Sequence, residues 1–391
     1  MTSRDVEGYT WPMRREKRTM RRVVALASIL FLTMCRGTDD RAEPKICNIS
    51  PADGEVAILA AIESCPDNST VRFPAGRTYR QSNRILIEDR HNITIDGNGS
   101  SFITSSTSTS VNGNWVILRG TNITLQNMTS IGAFDLEPPY SLDKYPKGVG
   151  WETNSAYAFY GTDGGGVRDA SARNVWGDGV LTAFDGILDA TVPQANWQVA
   201  RNLVFERITV DNASRVCVAP TQTINNVFRD STFRNCWTWG VDAEADGEAD
   251  GNLHNALVID GLRLLNNTFE GYNYGAIAVP VGGDADTIVG NIEIRGNRLL
   301  TGPTQAPCQS SILIGVAQYS NRIRNVVVEE NEISAMSMAV EFNHVDGGVI
   351  RNNLYRYTDY GLPGGPEVQC DADRRNMEKV SDSTGVDWSN A

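Results

Sequence analysis

The feature that most restricts the fold is a repeat of short β-branched runs separated by Asn, Asp and Gly, which begins near residue 85 and continues to about residue 355. Representative units are NITIDGNGSSF at 92–102, LVFERITVDNAS at 203–214 and VVVEENEIS at 326–334. Each unit contains short strands with alternating apolar positions, followed by a turn. A unit of this size buries a core only by stacking on its neighbours. The repeat therefore predicts an all-β solenoid, a single-stranded parallel β-helix in which each unit forms one coil.

One segment, GEVAILAAIESC at 54–65, has a helical period instead of a strand period. Val56, Leu59 and Ile62 are spaced for one apolar helix face, and Pro51 and Asp53 precede them as a start signal. The end of a β-helix otherwise exposes unpaired strand edges. We therefore expect a short amphipathic helix at about 54–65 that caps the first coil.

The residues after this helix resemble a known fold family. VRFPAGRTYR at 71–80 and ITIDGNGSSF at 93–102 are similar to the entry of right-handed parallel β-helices of the pectate-lyase superfamily, and the resemblance covers roughly residues 50–355. Pro74 and Gly76 are the local turn residues of this motif. The resemblance implies a right-handed β-helix, which we assign to about 41–360 after an export segment at 1–40. The tail at 361–391 has no repeat pattern, and we expect it to fold back over the last coil or to trail loosely. These motifs specify the fold much better than the activity.

The first residues have the pattern of a secretory signal peptide. A basic stretch precedes the apolar run VVALASILFLTM, which is too short for a transmembrane span. Cys35 follows this run in LTMC, which resembles a bacterial lipoprotein box except for its Met, so a secreted protein and a surface protein with a lipid anchor at Cys35 are both open. The first 35 residues carry a net charge of +4 out of a total of −12, which leaves −16 on the remainder. That acidic balance argues against a nucleic-acid partner.

Six cysteines remain after Cys35, an even number that indicates disulfides in an exported chain. Cys47 and Cys65 are the natural local pair. Eight Asn-x-Ser/Thr sequons are also present, and we interpret them mainly as turn and ladder asparagines of the solenoid.

Aligning equivalent strands predicts which side chains share a face, because side chains alternate across a strand. One inward column is expected to contain Val180, Val216, Val241, Ile277, Ile312 and Val340. Asp242 and Glu244 then lie on the outward side of one strand, with Arg215 on the adjacent coil and Asp178 one coil further back. We take Asp242, Glu244, Arg215 and Asp178 as the candidate catalytic residues.

Aromatic residues surround this predicted face. Trp176, Trp237 and Trp239 lie close to the candidate carboxylates in sequence, and flat rings of this kind stack on sugars. The segment 132–158 is too long and too rich in Pro and aromatic residues for a coil turn, so we expect a projecting loop in which Tyr140, Tyr145 and Trp151 shape the binding surface. The predicted partner is an extracellular polysaccharide.

Three functions fit a face with carboxylates, an arginine and aromatic rings. A polysaccharide lyase would cleave an acidic glycan by β-elimination, with Ca²⁺ on the carboxylates and Arg215 as the base; this is our first hypothesis and resembles β-helical lyases. A glycoside hydrolase would use two carboxylates as acid and as base or nucleophile. A non-catalytic glycan-binding β-helix would need neither a bound metal nor a catalytic pair of carboxylates. Calcium could bind Asp242, Glu244 and Asp246, although Leu253 at the twelfth position excludes an EF-hand loop.

Departures from related families limit the choice of activity. The sequence WGDG at 176–179 matches only part of the polygalacturonase signatures, whose Asp-Asp and Gly-His-Gly elements are absent from the coils at 85–355. Epimerases of this fold use a histidine beside their acids, and of the three histidines only His344 falls near the outward columns. Both activities are therefore disfavoured by the sequence.

Overall fold

A computed structural model describes residues 45–104, 114–135, 138, 154–189, 191–193, 196–244, 258–280, 288–302, 309–315, 322–335, 338–357 and 377–389. The export segment and the predicted anchor at Cys35 lie outside these residues. Within them, no helix is both long enough and apolar enough to cross a membrane.

The described residues form one α-helix, one short 3-10 helix at Asp185–Ile187 and thirty strands. The elements in chain order are β1 (Lys45–Asn48), α1 (Glu55–Glu63), β2 (Ser69–Arg72), β3 (Thr78–Gln81), β4 (Ile85–Glu88), β5 (His91–Thr104), β6 (Trp115–Leu118), β7 (Thr121–Ile131), β8 (Tyr157–Tyr160), β9 (Asp163–Val175), β10 (Val180–Ala183), β11 (Arg201–Ala213), β12 (Val218–Pro220), β13 (Thr223–Ile224), β14 (Val227–Arg229), β15 (Thr232–Cys236), β16 (Val241–Asp242), β17 (Val258–Asp260), β18 (Arg263–Leu265), β19 (Thr268–Glu270), β20 (Ile277–Val279), β21 (Ile288–Arg295), β22 (Arg298–Leu300), β23 (Ser310–Ile314), β24 (Ile323–Glu329), β25 (Glu332–Ala335), β26 (Met338–Asn343), β27 (Val345–Arg351), β28 (Leu354–Tyr357), β29 (Glu378–Ser381) and β30 (Thr384–Ser389).

All of the strand pairs are parallel and join one coil to the next. A ten-stranded sheet takes one strand from each coil, in the order β4, β6, β8, β10, β12, β16, β20, β23, β26 and β29. The remaining twenty strands form the second sheet. The prediction of a parallel β-helix is confirmed, and parallel crossovers of this kind are right-handed almost without exception.

Corners of the coils are made by residues in the left-handed backbone region. Long strands of the twenty-stranded sheet bend at Asn127, Asp169 and Arg207, whose φ angles are 52°, 51° and 50°. Asn and Asp tolerate this conformation better than other side chains, which explains their recurrence in the sequence. Sequon residues share this role: Asn92 and Asn122 have positive φ, and their amides form a ladder along the coil edge with Asn68.

The interior is a continuous apolar column closed at the N-terminal end. Helix α1 begins and ends within the predicted segment and buries Ile58 and Ile62 against the core. Val56, expected on the apolar face, is instead 77% exposed, because Ile58 and Ile62 define the buried stripe. The predicted disulfide between Cys47 and Cys65 is present beside this helix.

The β-helix continues beyond its predicted end at residue 360. β29 pairs with β26, and β30 pairs with β27, so residues 378–389 add to both sheets. These residues therefore form strands of the solenoid, whereas the sequence suggested a tail that folds back over the last coil or trails loosely. The repeat is hard to recognise in the sequence there, because this coil has few β-branched residues and is not followed by another similar unit.

Candidate functional site

Arg215 lies at the corner before β12 and connects three neighbouring coils. Its backbone N–H donates to the carbonyl of Gly177 (3.2 Å), and its own carbonyl accepts from the N–H of Thr238 (2.9 Å). Its guanidinium donates to Asp178 in the preceding coil (Nη1 to Oδ2, 3.1 Å) and to Glu244 in the following coil (Nη2 to Oε2, 3.2 Å). Three of the four predicted catalytic residues are thus in direct contact.

The two ion pairs of Arg215 differ in their access to solvent. The side chains of Asp178, Arg215 and Glu244 are 0%, 11% and 32% exposed. Asp178 also accepts a hydrogen bond from the N–H of Val216 (3.4 Å). A carboxylate buried this deeply is tolerated only with a charged partner and hydrogen bonds. Asp178 therefore fixes the guanidinium from inside, and Glu244 is the carboxylate that solvent reaches.

Asp242 lies on the same side of the chain as Glu244. The residue between them, Ala243, is fully buried in the core, and its N–H donates to the carbonyl of Ala278 (2.9 Å), which continues the ladder beyond β16. Alternation along the strand then directs Asp242 and Glu244 outward, with their Cα atoms about 7 Å apart. Asp242 is the more buried of the two. The structure thus places all four predicted catalytic residues in one region.

The predicted strand register is wrong by two residues in one coil. Val218, instead of Val216, pairs with Val180 and Val241, whereas the rest of the predicted column from Val241 through Ile277, Ile312 and Val340 is correct. Val216 and Val218 are both apolar and two residues apart, so the alternating pattern does not distinguish them. Arg215 consequently lies at the corner, level with Gly177 and Thr238, and reaches Glu244 through its long side chain.

A second disulfide braces this corner. Cys217, two residues after Arg215, is bonded to Cys236, which directly precedes Trp237. Both cysteines are fully buried. The bond joins the coil that carries Arg215 to the coil that carries Glu244.

Two of the predicted aromatic residues pack away from solvent. Trp237 is buried and contacts Phe134 (ring centroids 6.1 Å apart), and Trp176 packs edge-on against the same ring (5.5 Å). Sugar stacking needs an open ring face, which this packing denies to Trp237 and restricts at Trp176. The sequence predicted that both rings lie near the carboxylates, but it did not predict that they pack against Phe134.

Trp239 has a different environment, in which it keeps partial exposure. Its ring lies 6.2 Å from that of Tyr274, at an angle of 35°. A Cβ atom on Gly275 would overlap Cζ3 of Trp239, so the indole rests directly on the backbone of the next coil. Tyr274 was not identified from the sequence, although its position beside the ring of Trp239 follows from the pairing of consecutive coils.

Tyr160 is a further residue that the sequence did not indicate. It is buried on the outward side of β8, and its pKa is raised first by burial and then by the negative charge of Asp178. The phenol therefore remains protonated beside the buried carboxylate. Alternation along the strand Tyr157–Tyr160 could have shown that this side chain points outward.

Several predicted residues lie outside the described part of the chain: Tyr145, Trp151 and Asp246, together with Tyr140 and most of the loop at 132–158. Among the residues described, no three His, Cys, Asp or Glu side chains are grouped closely enough to hold a metal ion. A calcium site at Asp242, Glu244 and Asp246 stays a prediction.

No family model matches the chain. No curated protein matches it either. Among solved structures, it is similar to the catalytic unit of a GH87 α-1,3-glucanase from Streptomyces thermodiastaticus strain HF3-3, with 16% identity, coverage of 90% of this chain and 69% of the other, and a TM-score of 0.49. A family 28 exopolygalacturonase from Yersinia enterocolitica has 13% identity, 89% and 78% coverage and a TM-score of 0.47. The A-module of the mannuronan C-5 epimerase AlgE6 from Azotobacter vinelandii has 15% identity, 87% and 96% coverage and a TM-score of 0.45. At these identities and scores the similarities indicate no activity for this chain.

Proposed function

We propose that this chain is an extracytoplasmic, carbohydrate-active protein that hydrolyses a polysaccharide at Asp242 and Glu244. The observation that carries the proposal is the position of Arg215, which is held by buried Asp178 and directed at Glu244, two residues from Asp242 on one outward face. The two disulfides support export to an oxidising compartment. A lipid anchor at Cys35 stays a prediction.

Most glycoside hydrolases use two carboxyl groups with different tasks. The guanidinium 3.2 Å from Glu244 favours the charged carboxylate, which suits a general base or nucleophile. Asp242, which is more buried, then protonates the leaving oxygen. A Cα separation of about 7 Å is compatible with either the retaining or the inverting arrangement of such a pair.

β-Elimination, our first hypothesis from the sequence, becomes the second candidate. An arginine between two carboxylates keeps its proton, because both partners favour the guanidinium, and this weighs against Arg215 as the base. The net charge of −16 outside the first 35 residues also opposes unaided binding of a polyanion. A lyase reaction would therefore need another base and a bridging cation.

Product analysis on a panel of soluble neutral and acidic polysaccharides tests the proposal. We expect new reducing ends without the ultraviolet absorbance of an unsaturated sugar, unaffected by chelator. Glu244→Gln and Asp242→Asn should each lower the rate by about 10² to 10⁴. Glu270→Gln, on the twenty-stranded sheet at β19, is the matched control and should retain activity.

The other outcomes identify the competing functions. Unsaturated products that disappear with chelator would establish a calcium-dependent lyase. Glycan binding without cleavage, unchanged in Glu244→Gln and Asp242→Asn, would establish a binding module and refute the hydrolase.

A further inference from the structure

A row of contacts across consecutive coils starts three residues before Asp242 and extends toward the C-terminal coils. It begins with Trp239, which rests on Gly275. A Cβ on Gly275 would also overlap the carbonyl oxygen of Ser310, so these three residues lie on consecutive coils without a gap between them. Gly275 does not have positive φ, so close approach is the reason for glycine at this position.

Glu341 continues the row and is the centre of a polar cluster. Its carboxylate accepts hydrogen bonds from Ser310 Oγ (2.7 Å), Asn343 Nδ2 (3.2 Å) and Lys379 Nζ (3.2 Å). The Glu341 and Lys379 side chains are 18% and 43% exposed, so both remain accessible. Burial raises the pKa of Glu341, but the hydrogen bonds from Ser310, Asn343 and Lys379 outweigh it and hold the pKa below its usual value. The cluster therefore presents a fixed pair of opposite charges.

The strand register aligns this cluster with the candidate site. Asp242 pairs with Ala278, Ala278 with Leu313, Leu313 with Glu341, and Glu341 with Lys379. All five residues point outward, and three coil steps of about 4.8 Å separate Asp242 from Glu341, or about 14 Å. A linear chain bound parallel to the solenoid axis would span both.

We propose that Trp239, Tyr274, Glu341 and Lys379 form a binding track for a linear polysaccharide, which runs from Asp242 and Glu244 along the solenoid axis toward the C-terminal coils. The track rests on the proposed function and deepens it, because it defines a polymeric substrate and the side on which its subsites lie. The aromatic pair stacks on a sugar next to the carboxylates. The charged pair donates to and accepts from sugar hydroxyls at the far end, where hydrogen bonds to charged groups are strongest.

The alternative role of Glu341 and Lys379 is to stabilise the β-helix as an ion pair. A matched pair on the other sheet of the same coil separates the two roles. Glu332 in β25 is bonded to Arg356 (3.1 Å) and Arg298 (3.6 Å) and faces away from the track. Glu332→Gln should therefore reproduce any purely structural effect of Glu341→Gln.

The test is a length series of oligosaccharides, from disaccharide to octasaccharide, derived from the polysaccharide that the panel above shows to be cleaved or bound. For Glu341→Gln and Lys379→Met we expect KM, or Kd if no cleavage occurs, to rise about tenfold for the octasaccharide, with no change for the disaccharide and no change in kcat. Trp239→Ala should raise the value for every oligosaccharide long enough to reach the ring. Glu332→Gln should leave all values unchanged.

Each other outcome has a definite meaning. If wild type cleaves the polysaccharide but Glu341→Gln and Lys379→Met show the wild-type length dependence, the track is wrong and the hydrolase stands. If wild type binds but does not cleave, the hydrolase is wrong, and the Kd series still tests the track. If wild type neither binds nor cleaves any member of the panel, both are wrong.

Discussion

The two halves of the outward face of the ten-stranded sheet have the same geometry but different chemistry. From β6 to β12 the outward positions form a buried apolar cluster that includes Val116, Ala158, Leu181 and Ala219. From β16 to β29 the equivalent column carries three charged residues, Asp242, Glu341 and Lys379, with Ala278 and Leu313 between the first two. Because the inward residues are apolar in both halves, the interior determines the fold and the outward residues determine what each half can bind. The candidate carboxylates lie where the apolar half ends.

The apolar half is covered by the segment that follows β10. Leu188 of this segment packs against the cluster, and Phe184 stacks on Trp197 at 4.5 Å. Asp189 accepts a hydrogen bond from Arg119 (2.8 Å), which ties the segment to the coil of β6. The covered outward side chains of the first half therefore form a second, small apolar core. The charged residues of the column lie in the second half.

The largest effect on stability should come from removing the buried charge at the boundary between the halves. Asp178→Ala leaves Arg215 without its inner partner, and we expect a loss of about 3 to 5 kcal/mol in the free energy of unfolding, measured with denaturant. Asp169→Ala breaks an exposed pair with Arg207 and should cost less than about 1 kcal/mol. Equal losses in the two variants would show that the boundary is not built around Asp178.

The apolar half should lose more stability on truncation of an outward side chain than the polar half. Leu118→Ala removes a buried side chain from the outer cluster and should cost about 2 to 5 kcal/mol. Leu313→Ala, at a partly exposed position between Ala278 and Glu341 in the same column, should cost clearly less. Urea unfolding of both variants measures the difference, and comparable losses would mean that both halves are covered alike.

Loss of the Cys217 to Cys236 disulfide should destabilise the boundary by an intermediate amount. The double variant Cys217→Ser, Cys236→Ser opens a link across a sequence separation of 19 residues, for which chain entropy predicts about 3 kcal/mol. The same substitution of Cys47 and Cys65, with a separation of 18, is the control for stability. Glycan cleavage should fall only in the first variant, because only that disulfide braces Arg215.

The smallest expected effect is on the pH dependence of stability, through Glu341 in the polar half. The pKa of Glu341 is lower in the folded chain than its ordinary value of 4.5, so the ionised form stabilises the fold above that value. This contribution disappears as the pH falls through the lowered pKa. Between neutral and acidic pH, Glu341→Gln should therefore lose less stability than wild type, as thermal unfolding midpoints will show; a parallel loss would contradict the assigned contacts.

Much of the fold could be predicted from local signals. The β-branched runs identified the coils, Asn and Asp marked the corners at positions such as Asn92 and Asn122, and the helical period of 54–65 located α1. The end of the solenoid could not be predicted, because the strands at 378–389 are recognisable only through their pairing with β26 and β27.

The candidate site was predictable as a set of residue types but not as a set of contacts. Arg215 contacts Asp178 and Glu244, which the alignment had placed on neighbouring coils, even though the predicted register at Val216 was wrong by two residues. The side chain of Arg215 is long enough to reach Glu244 from the corner. Burial of Trp237, and the contacts of Tyr274 and Glu341, depend on adjacent coils that the local sequence does not specify.

The stacking of short coils into a parallel β-helix follows from the sequence, because alternation of apolar residues and left-handed Asn corners are local properties of each unit. Which coils face each other, and therefore which charges meet, follows from the folded structure alone. Arg215 touches Asp178, 37 residues before it, and Glu244, 29 residues after it. A shift of two residues preserves the alternating pattern, so register, burial and ion pairing are fixed by packing between coils and not by the pattern within them.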